Sequence, residues 1–346
     1  MYISNPEPSS TTKRPRRPWA LAWTLVWLIG VEAAARLLWT PAQVGPELYA
    51  RVEPSFDYGF DFTRPQCEPD DEAKITCWPT QYRPIFKQSF DRIKRPNTIR
   101  AFTFGGSHAA GAGGYTGALV RLLRRTCGAR RWEGINLAVK GQGSTRALVA
   151  LKDALRHEPD LVILDFGGTN EYEDERDLNR RAQLHTSIWK FVLTSRAVVI
   201  GRKLLALHFE LMRVPRMTGE GEQVASRNPE NLARWERSLA DNFREMIALT
   251  HGRGIPVVIV GRASRNAHAP RSRDLASHRL FLSLASDGVL LFDAHAAFQA
   301  VDRASRKALF RGNGDHYSRK GHELIAQGLA ALLLRELPAA RVCDPR

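Results

Sequence analysis

The chain has only four cysteines among its 346 residues, Cys67, Cys77, Cys127 and Cys343, and no two stand in a CxxC pair. That excludes the short zinc and dithiol redox motifs. There is no zinc-finger spacing, no RNP signature and no alternation of basic with aromatic residues, so the usual sequence marks of a nucleic-acid binder are missing. No dinucleotide fingerprint and no cluster of metal-ligating residues is present, and no cofactor and no metal are expected. Internal repeats are absent, which excludes a solenoid. Negative charge is also scarce. Asp and Glu number 36 against 51 Lys and Arg, a net charge of +15. The excess is mostly arginine spread along the chain. Such a surface favours acidic partners, but a compositional bias with no specific partner explains the spread better than nucleic acid does.

Long apolar runs are rare as well. The one near the N-terminus, "WALAWTLVWLIGV" (19–31), is short for a membrane span. It follows the basic "TKRPRRP" (12–18) and continues through "EAAARLLWTP" (32–41). With that continuation it reaches about the 20 residues a bilayer needs. Glu32 and Arg36 stand four apart, a spacing at which opposite charges neutralise each other on one helical face. A basic stretch before an apolar one marks an anchor or an export signal, with its basic end in the cytoplasm. Residues 1–18 read as a basic cytoplasmic tail, and 19–40 as a transmembrane anchor or signal segment. The expected address is a bacterial inner membrane with the remaining chain periplasmic, or secretion after cleavage. Four cysteines in an oxidising compartment allow two disulfides.

Residues 41–96 are rich in Pro, Asp, Tyr and Arg without sustained periodicity, and read as an irregular segment leading into the domain. From 97 to 340 the pattern changes. "TIRAFTF" (98–104), "GINLAV" (134–139), "DLVILDF" (160–166), "IPVVIVG" (255–261) and "GVLLFDA" (288–294) are short apolar runs bounded by Gly, Pro or Asp. Runs of this kind are strands buried on both faces of a parallel sheet. Helical patterns alternate with them at 114–125, 144–156, 228–254 and 318–337, with Ser144 and Asn228 as N-cap candidates. The alternation predicts a three-layer α/β/α sandwich around a parallel sheet of about five strands. Residues 171–227 form an insertion after the third strand, expected as a lid on the acceptor side.

In an open parallel sheet, ligands bind beyond the carboxyl ends of the strands. Ser107 follows the first strand in "FTFGGSHAAG", Gly141 the second in "VKGQGS", and Asn170 the third in "GGTNE". His316 precedes the last helix in "GNGDHYSRKGH". Each has an ordinary reading alone: a turn serine, a turn glycine, a capping asparagine, a surface histidine. Four of them in this order at one sheet edge is a different matter.

The order and context resemble the SGNH (GDSL-type) hydrolases, whose blocks supply a nucleophilic Ser, an oxyanion-hole Gly and Asn, and a late His. "TFGGSHAAG", "INLAVKGQGS", "PDLVILDFGGTNE" and "DHYSRKGHELIA" are similar to the family's blocks one, two, three and five. The resemblance covers about residues 97–337 and implies a flavodoxin-like sheet. It also implies Ser107 as nucleophile, His316 as base, and Gly141 and Asn170 as oxyanion donors. A serine hydroxyl needs such a base within hydrogen-bond reach. Two positions depart from the pattern. Gly106 stands where the family has Asp, and Asn313 stands three residues before the histidine, where the triad acid is usual. Asp315, next to His316, is the candidate acid, with Asn313 or a plain Ser–His dyad left open. His108 and His322 are the competing histidines, expected to point elsewhere and to pack in the last helix respectively. The implied function is a serine esterase or acyltransferase acting on a small-molecule or carbohydrate O-acyl ester. An inactive glycan-binding relative and a lipase are the alternatives.

Topology makes one further demand. If Ser107 and His316 meet, the first and last helices start at the same sheet edge and run the same way. Cys127 closes the first and Cys343 follows the last, so if the two helices share a face of the sheet, as the resembled fold usually arranges, these two should pair, leaving Cys67 with Cys77 as a local bridge.

Overall fold

The structure, a computed structural model, describes residues 18–38, 67–70, 73–77, 88–110, 114–139, 142–167, 171, 197, 200, 229–263, 272–285, 289–311 and 316–343. The chain divides into two units, Met1–Val52 with Ser187–Arg213, and Glu53–Thr186 with Val214–Arg346.

In the first unit, α1 (Pro18–Leu38) begins on a proline, whose fixed φ suits a helix's first position. Trp19, Trp23, Trp27, Leu28 and Ile29 are exposed on it. Glu32 and Arg36 form the expected pair at 2.7 Å, and Glu32 also accepts from the Ala197 N–H at 3.1 Å. Among the described residues no helix is long and apolar enough to cross a membrane. The helix forms where the sequence predicts it, but it lends the expected span no support. Most of the insertion expected as a lid lies outside the described residues, and its residues 187–213 group with α1.

The second unit opens with a correction. Instead of an irregular segment, β1 (Cys67–Pro69), β2 (Lys74–Cys77) and β3 (Gln88–Asp91) make a small antiparallel sheet. Cys67 lies opposite Cys77 in register, and the two are joined by a disulfide with Cα atoms 4.0 Å apart. Ile75 and Phe90 bury this sheet against the core.

Five strands follow: β4 (Thr98–Gly105), β5 (Arg131–Asn136), β6 (Leu161–Asp165), β7 (Val257–Gly261) and β8 (Leu290–Asp293). They pair in parallel in the order β5-β4-β6-β7-β8, the flavodoxin-like order with its switch point between β4 and β6. All eight residues of β4 are buried, as are all five of β6 and of β7, which is why their sequences are mostly apolar, broken only by Thr98, Arg100 and Thr103 in β4 and by Asp165 at the end of β6.

The crossovers cover both faces. Phe102, Phe104, Val162 and Leu164 pack with α3 (Ser144–Ala154), α4 (Pro229–His251) and α5 (Ser272–Ala285). Ala101, Ile163, Val258 and Val260 pack with α2 (Tyr115–Thr126) and α6 (Ala294–Gln299). After the single turn α7 (Arg303–Arg306) come α8 (Arg319–Glu336), on the α2 face, and the short α9 (Ala339–Val342). Cys127 closes α2 and Cys343 closes α9, and they form the expected disulfide with Cα atoms 4.4 Å apart.

Candidate active site

The end of β4 packs too tightly for a side chain. A Cβ on Gly105 would lie 2.6 Å from the Asp165 carbonyl oxygen of neighbouring β6. Gly106 then donates its N–H to that same carbonyl at 3.1 Å, and its own carbonyl accepts from Ala109 and Ala110, each at 3.2 Å. The buried Asn136 amide donates to the Ala109 carbonyl at 2.7 Å. The result is a fixed turn that presents Ser107, half-buried, at the sheet edge. The helical pattern read at 114–125 is α2, which starts at Tyr115 and not directly after Ser107.

A second device delivers His316. Phe310 and Tyr317 form an isolated antiparallel bridge, with Arg311 N–H donating to the His316 carbonyl at 2.8 Å and Ser318 N–H to the Leu309 carbonyl at 2.8 Å. Ser318 caps α8 by accepting from Gly321. The Tyr317 hydroxyl accepts from the Ala263 N–H at 2.9 Å, tying the segment to the end of β7. Gly321 is required here, since a Cβ would sit 2.3 Å from the Leu309 oxygen. The outcome is a contact of 2.9 Å between His316 Nε2 and Ser107 Oγ, across a sequence separation of 209.

His108 does not point elsewhere. Its ring stacks on His316 with centroids 4.9 Å apart and planes 9° from parallel. The expectation assumed helical spacing after Ser107, and the turn swings the side chain back. His322 does pack, as expected of a histidine in the last helix, 4% exposed between the rings of Tyr115 and Tyr317. Burial, with the Arg311 charge beside it, pushes the His322 imidazole down to about 4.

Gly141, Asn170, Asp315 and Asn313 lie outside the described residues. The residues that follow the first two, Gln142 and Glu171, are described, and Glu171 is a side chain that sequence reasoning missed. Glu171, adjacent to Asn170 and 2% exposed, accepts from the Ser144 N–H at 2.7 Å and from the Ser144 hydroxyl at 2.9 Å. Ser144 is therefore not the N-cap of α3. Gly143 holds that position, and the Glu171 carboxylate takes the cap's role at the positive end of the helix. Asn242 of α4 secures the junction, donating to Ser144 Oγ at 2.8 Å and Thr145 Oγ1 at 2.9 Å. Glu171 thus ties the start of α3 to the segment that follows β6.

Asp165 was also missed, although a carboxylate inside an apolar strand is a visible signal. It is 2% exposed and accepts from the Tyr115 hydroxyl at 3.1 Å. Burial pushes it up to about 6, against the lowering effects of Tyr115 and the Arg262 charge. Burial and the adjacent Asp165 push the Tyr115 hydroxyl well above its ordinary range. Beyond Ser107 and His316 opens a cavity of about 300 Å³, walled also by His108, Ala110, Arg311, Tyr317 and His322.

A serine in contact with an imidazole at the mouth of a 2-1-3-4-5 sheet has the parts for nucleophilic acyl transfer. The sequence matches the GDSL-like lipase/acylhydrolase family over residues 102–324, most of the hydrolase unit. The chain belongs to that family. Membership carries ester hydrolysis by serine chemistry. Solved structures of similar fold include an acetylxylan esterase from Geobacillus stearothermophilus, 14% identical, with 70% of this chain and 96% of that chain covered and a TM-score of 0.46. A lipase/acylhydrolase from Enterococcus faecalis is 19% identical over 72% of this chain and 98% of that one, with a TM-score of 0.42. No curated protein matches the chain.

Proposed function

We propose that this GDSL-family hydrolase is an exported esterase or acyltransferase that removes or transfers short O-acyl groups, chiefly O-acetyl, on cell-envelope carbohydrate. The observation that carries the reading is the 2.9 Å contact between Ser107 Oγ and His316 Nε2. Ser107 attacks the ester carbonyl while His316 takes its proton. The developing oxyanion is held by the N–H groups of Ser107 and Gly141 and by the Asn170 amide, donors of which each is worth on the order of 3 kcal/mol of barrier. His316 then returns the proton to the departing alcohol, and water or a sugar hydroxyl releases the acyl group from Ser107. Asp315, adjacent in sequence to the histidine, orients and stabilises the imidazolium.

Two features support a short acyl group on a polar alcohol. The cavity wall is mostly Ser, His, Arg and Tyr, and a long-chain lipase requires an apolar groove. The two disulfides support an oxidising compartment. The N-terminal segment addresses the chain across a bacterial inner membrane, retained there or cleaved, a reading supported by the sequence order of a basic stretch before an apolar one. A 4-nitrophenyl ester series from acetate to decanoate tests the reading. Turnover should peak at acetate or propionate and fall at least a thousandfold in Ser107→Ala, the scale on which triad residues act. A maximum at long chains would make the protein a lipase, and unchanged turnover in Ser107→Ala would remove the nucleophile.

A further inference from the structure

Arg311 stands in the wall of the active-site cavity with Ser107 and His316. Its backbone is fixed, because its N–H donates to the His316 carbonyl at 2.8 Å beside the Phe310–Tyr317 bridge. Its side chain is exposed and makes no ion pair among the described residues. Other arginines of the unit are differently placed: Arg100 is paired with Glu133, Arg131 with Asp91 and Glu133, and Arg319 with Glu323. The described cavity wall contains no carboxylate at all. The buried Asp165 is engaged by Tyr115. His322, the other basic group facing Arg311, is buried and neutral, and His108 stacks on His316. Arg311 therefore lines the site with no carboxylate partner among the described residues.

We propose that Arg311 binds an anionic group, carboxylate or phosphate, on the alcohol portion of the substrate. The inference rests on the ester-hydrolase reading above and narrows its substrate class to acidic esters. The alcohol side follows from position. His316 hands its proton to the departing alcohol, and Arg311 is bonded to the backbone of that same histidine. A planar guanidinium accepts two oxyanion oxygens at once, and a carbohydrate bearing acid groups supplies them. The competing role, direct stabilisation of the tetrahedral oxyanion, would speed charged and neutral esters alike, so a ratio separates the two.

The experiment compares 4-acetoxybenzoate and 4-acetoxyphenyl phosphate with the neutral methyl 4-acetoxybenzoate, as kcat/KM ratios at low ionic strength. The wild-type protein should prefer at least one anionic ester by about tenfold, the scale of a charge-assisted hydrogen bond, and lose part of that preference in 0.5 M salt. The arm with the larger ratio identifies carboxylate or phosphate. Arg311→Gln should bring the ratio to about one, and Arg311→Lys should keep part of it. Because a ratio is independent of the active fraction, partial misfolding cannot imitate this result. A wild-type ratio of one, or a preference that survives in Arg311→Gln, overturns the proposal. Failure of the ester reading looks different: the neutral ester is not turned over, or is turned over equally by Ser107→Ala. In that event calorimetric titration of Ser107→Ala with 4-acetoxybenzoate decides, since binding that vanishes on adding Arg311→Gln sustains anion recognition and its absence ends it.

Discussion

Asp165 ends β6 beside Gly105, and its carboxyl keeps a proton up to about pH 6 because water cannot reach it. In the unfolded chain the same carboxyl ionises near 4. Between those values the folded state holds more protons, so this residue makes stability fall as pH rises from about 4 to about 6. His322 acts in the opposite sense. Its imidazole is neutral in the fold down to about pH 4, whereas the unfolded chain takes up a proton near 6.5. Over that interval the unfolded state holds more protons, and stability rises with pH. Each contribution is about 3 kcal/mol, so they offset one another in the same window. Asp165→Asn should expose the rise and His322→Gln the fall, read from urea midpoints between pH 4 and 7 as differences from the parent protein. Two variants with the parent's pH dependence would contradict the shifts. Neither effect was legible in sequence, because a shifted pKa depends on burial and on neighbours far along the chain. The nucleophile was legible through the order of the four motifs, since a glycine pair and a serine after an apolar strand read alone as a turn. His108 was misplaced because the turn that redirects it is closed by Asn136, from another strand.

At the scale of elements, β4 is anchored at its far end by a charge cluster. Arg100, 1% exposed, donates from Nε to Glu133 of β5 at 2.8 Å, from Nη1 to the His157 carbonyl at 3.1 Å, and from Nη2 to the Asp91 carbonyl of β3. Its N–H donates to Asp160 at 2.7 Å. One side chain thus ties the small antiparallel sheet, the edge strand β5 and the turn before β6 to the central strand. Removing one partner of a buried pair leaves the other charge unanswered, at a cost of about 3–5 kcal/mol. Arg100→Ala should lose that much in urea unfolding at pH 7, and a loss under 1 kcal/mol would show the cluster to be idle. The strands of the main sheet were readable because full burial makes β4, β6 and β7 mostly apolar, with Arg100 and Asp165 as the charged exceptions. The ladder of β5 begins at Arg131, ahead of the apolar run, because its start is set by Thr98 across the pair. The small sheet escaped notice because its strands run only three or four residues and carry Pro, Glu and Lys. Its cohesion comes from the Cys67–Cys77 bridge and from Phe90, whose ring meets Phe102 edge-on.

Across the whole molecule, the two ends of the hydrolase unit are pinned where topology required. α2 and α8 leave the active-site edge together, and the Cys127–Cys343 disulfide joins their far ends over a separation of 216 residues. In the chain-entropy picture a loop of that size removes about 5 kcal/mol from the unfolded state. That bridge was readable from the order of the motifs together with the resembled fold, since a shared catalytic site fixes the direction of both helices and the fold puts them on one face. The insertion could not be read the same way, because no motif within it fixes a direction. The central claim, that Ser107 is a nucleophile activated by His316, is tested most directly by labelling the intact protein with a fluorophosphonate and locating the adduct by peptide mass mapping. The adduct should form on Ser107 at one per chain, be absent in Ser107→Ala, and form at least a hundredfold more slowly in His316→Ala, the lower scale of general-base assistance. Ester turnover with no adduct on Ser107, or an adduct whose rate ignores His316→Ala, would contradict it.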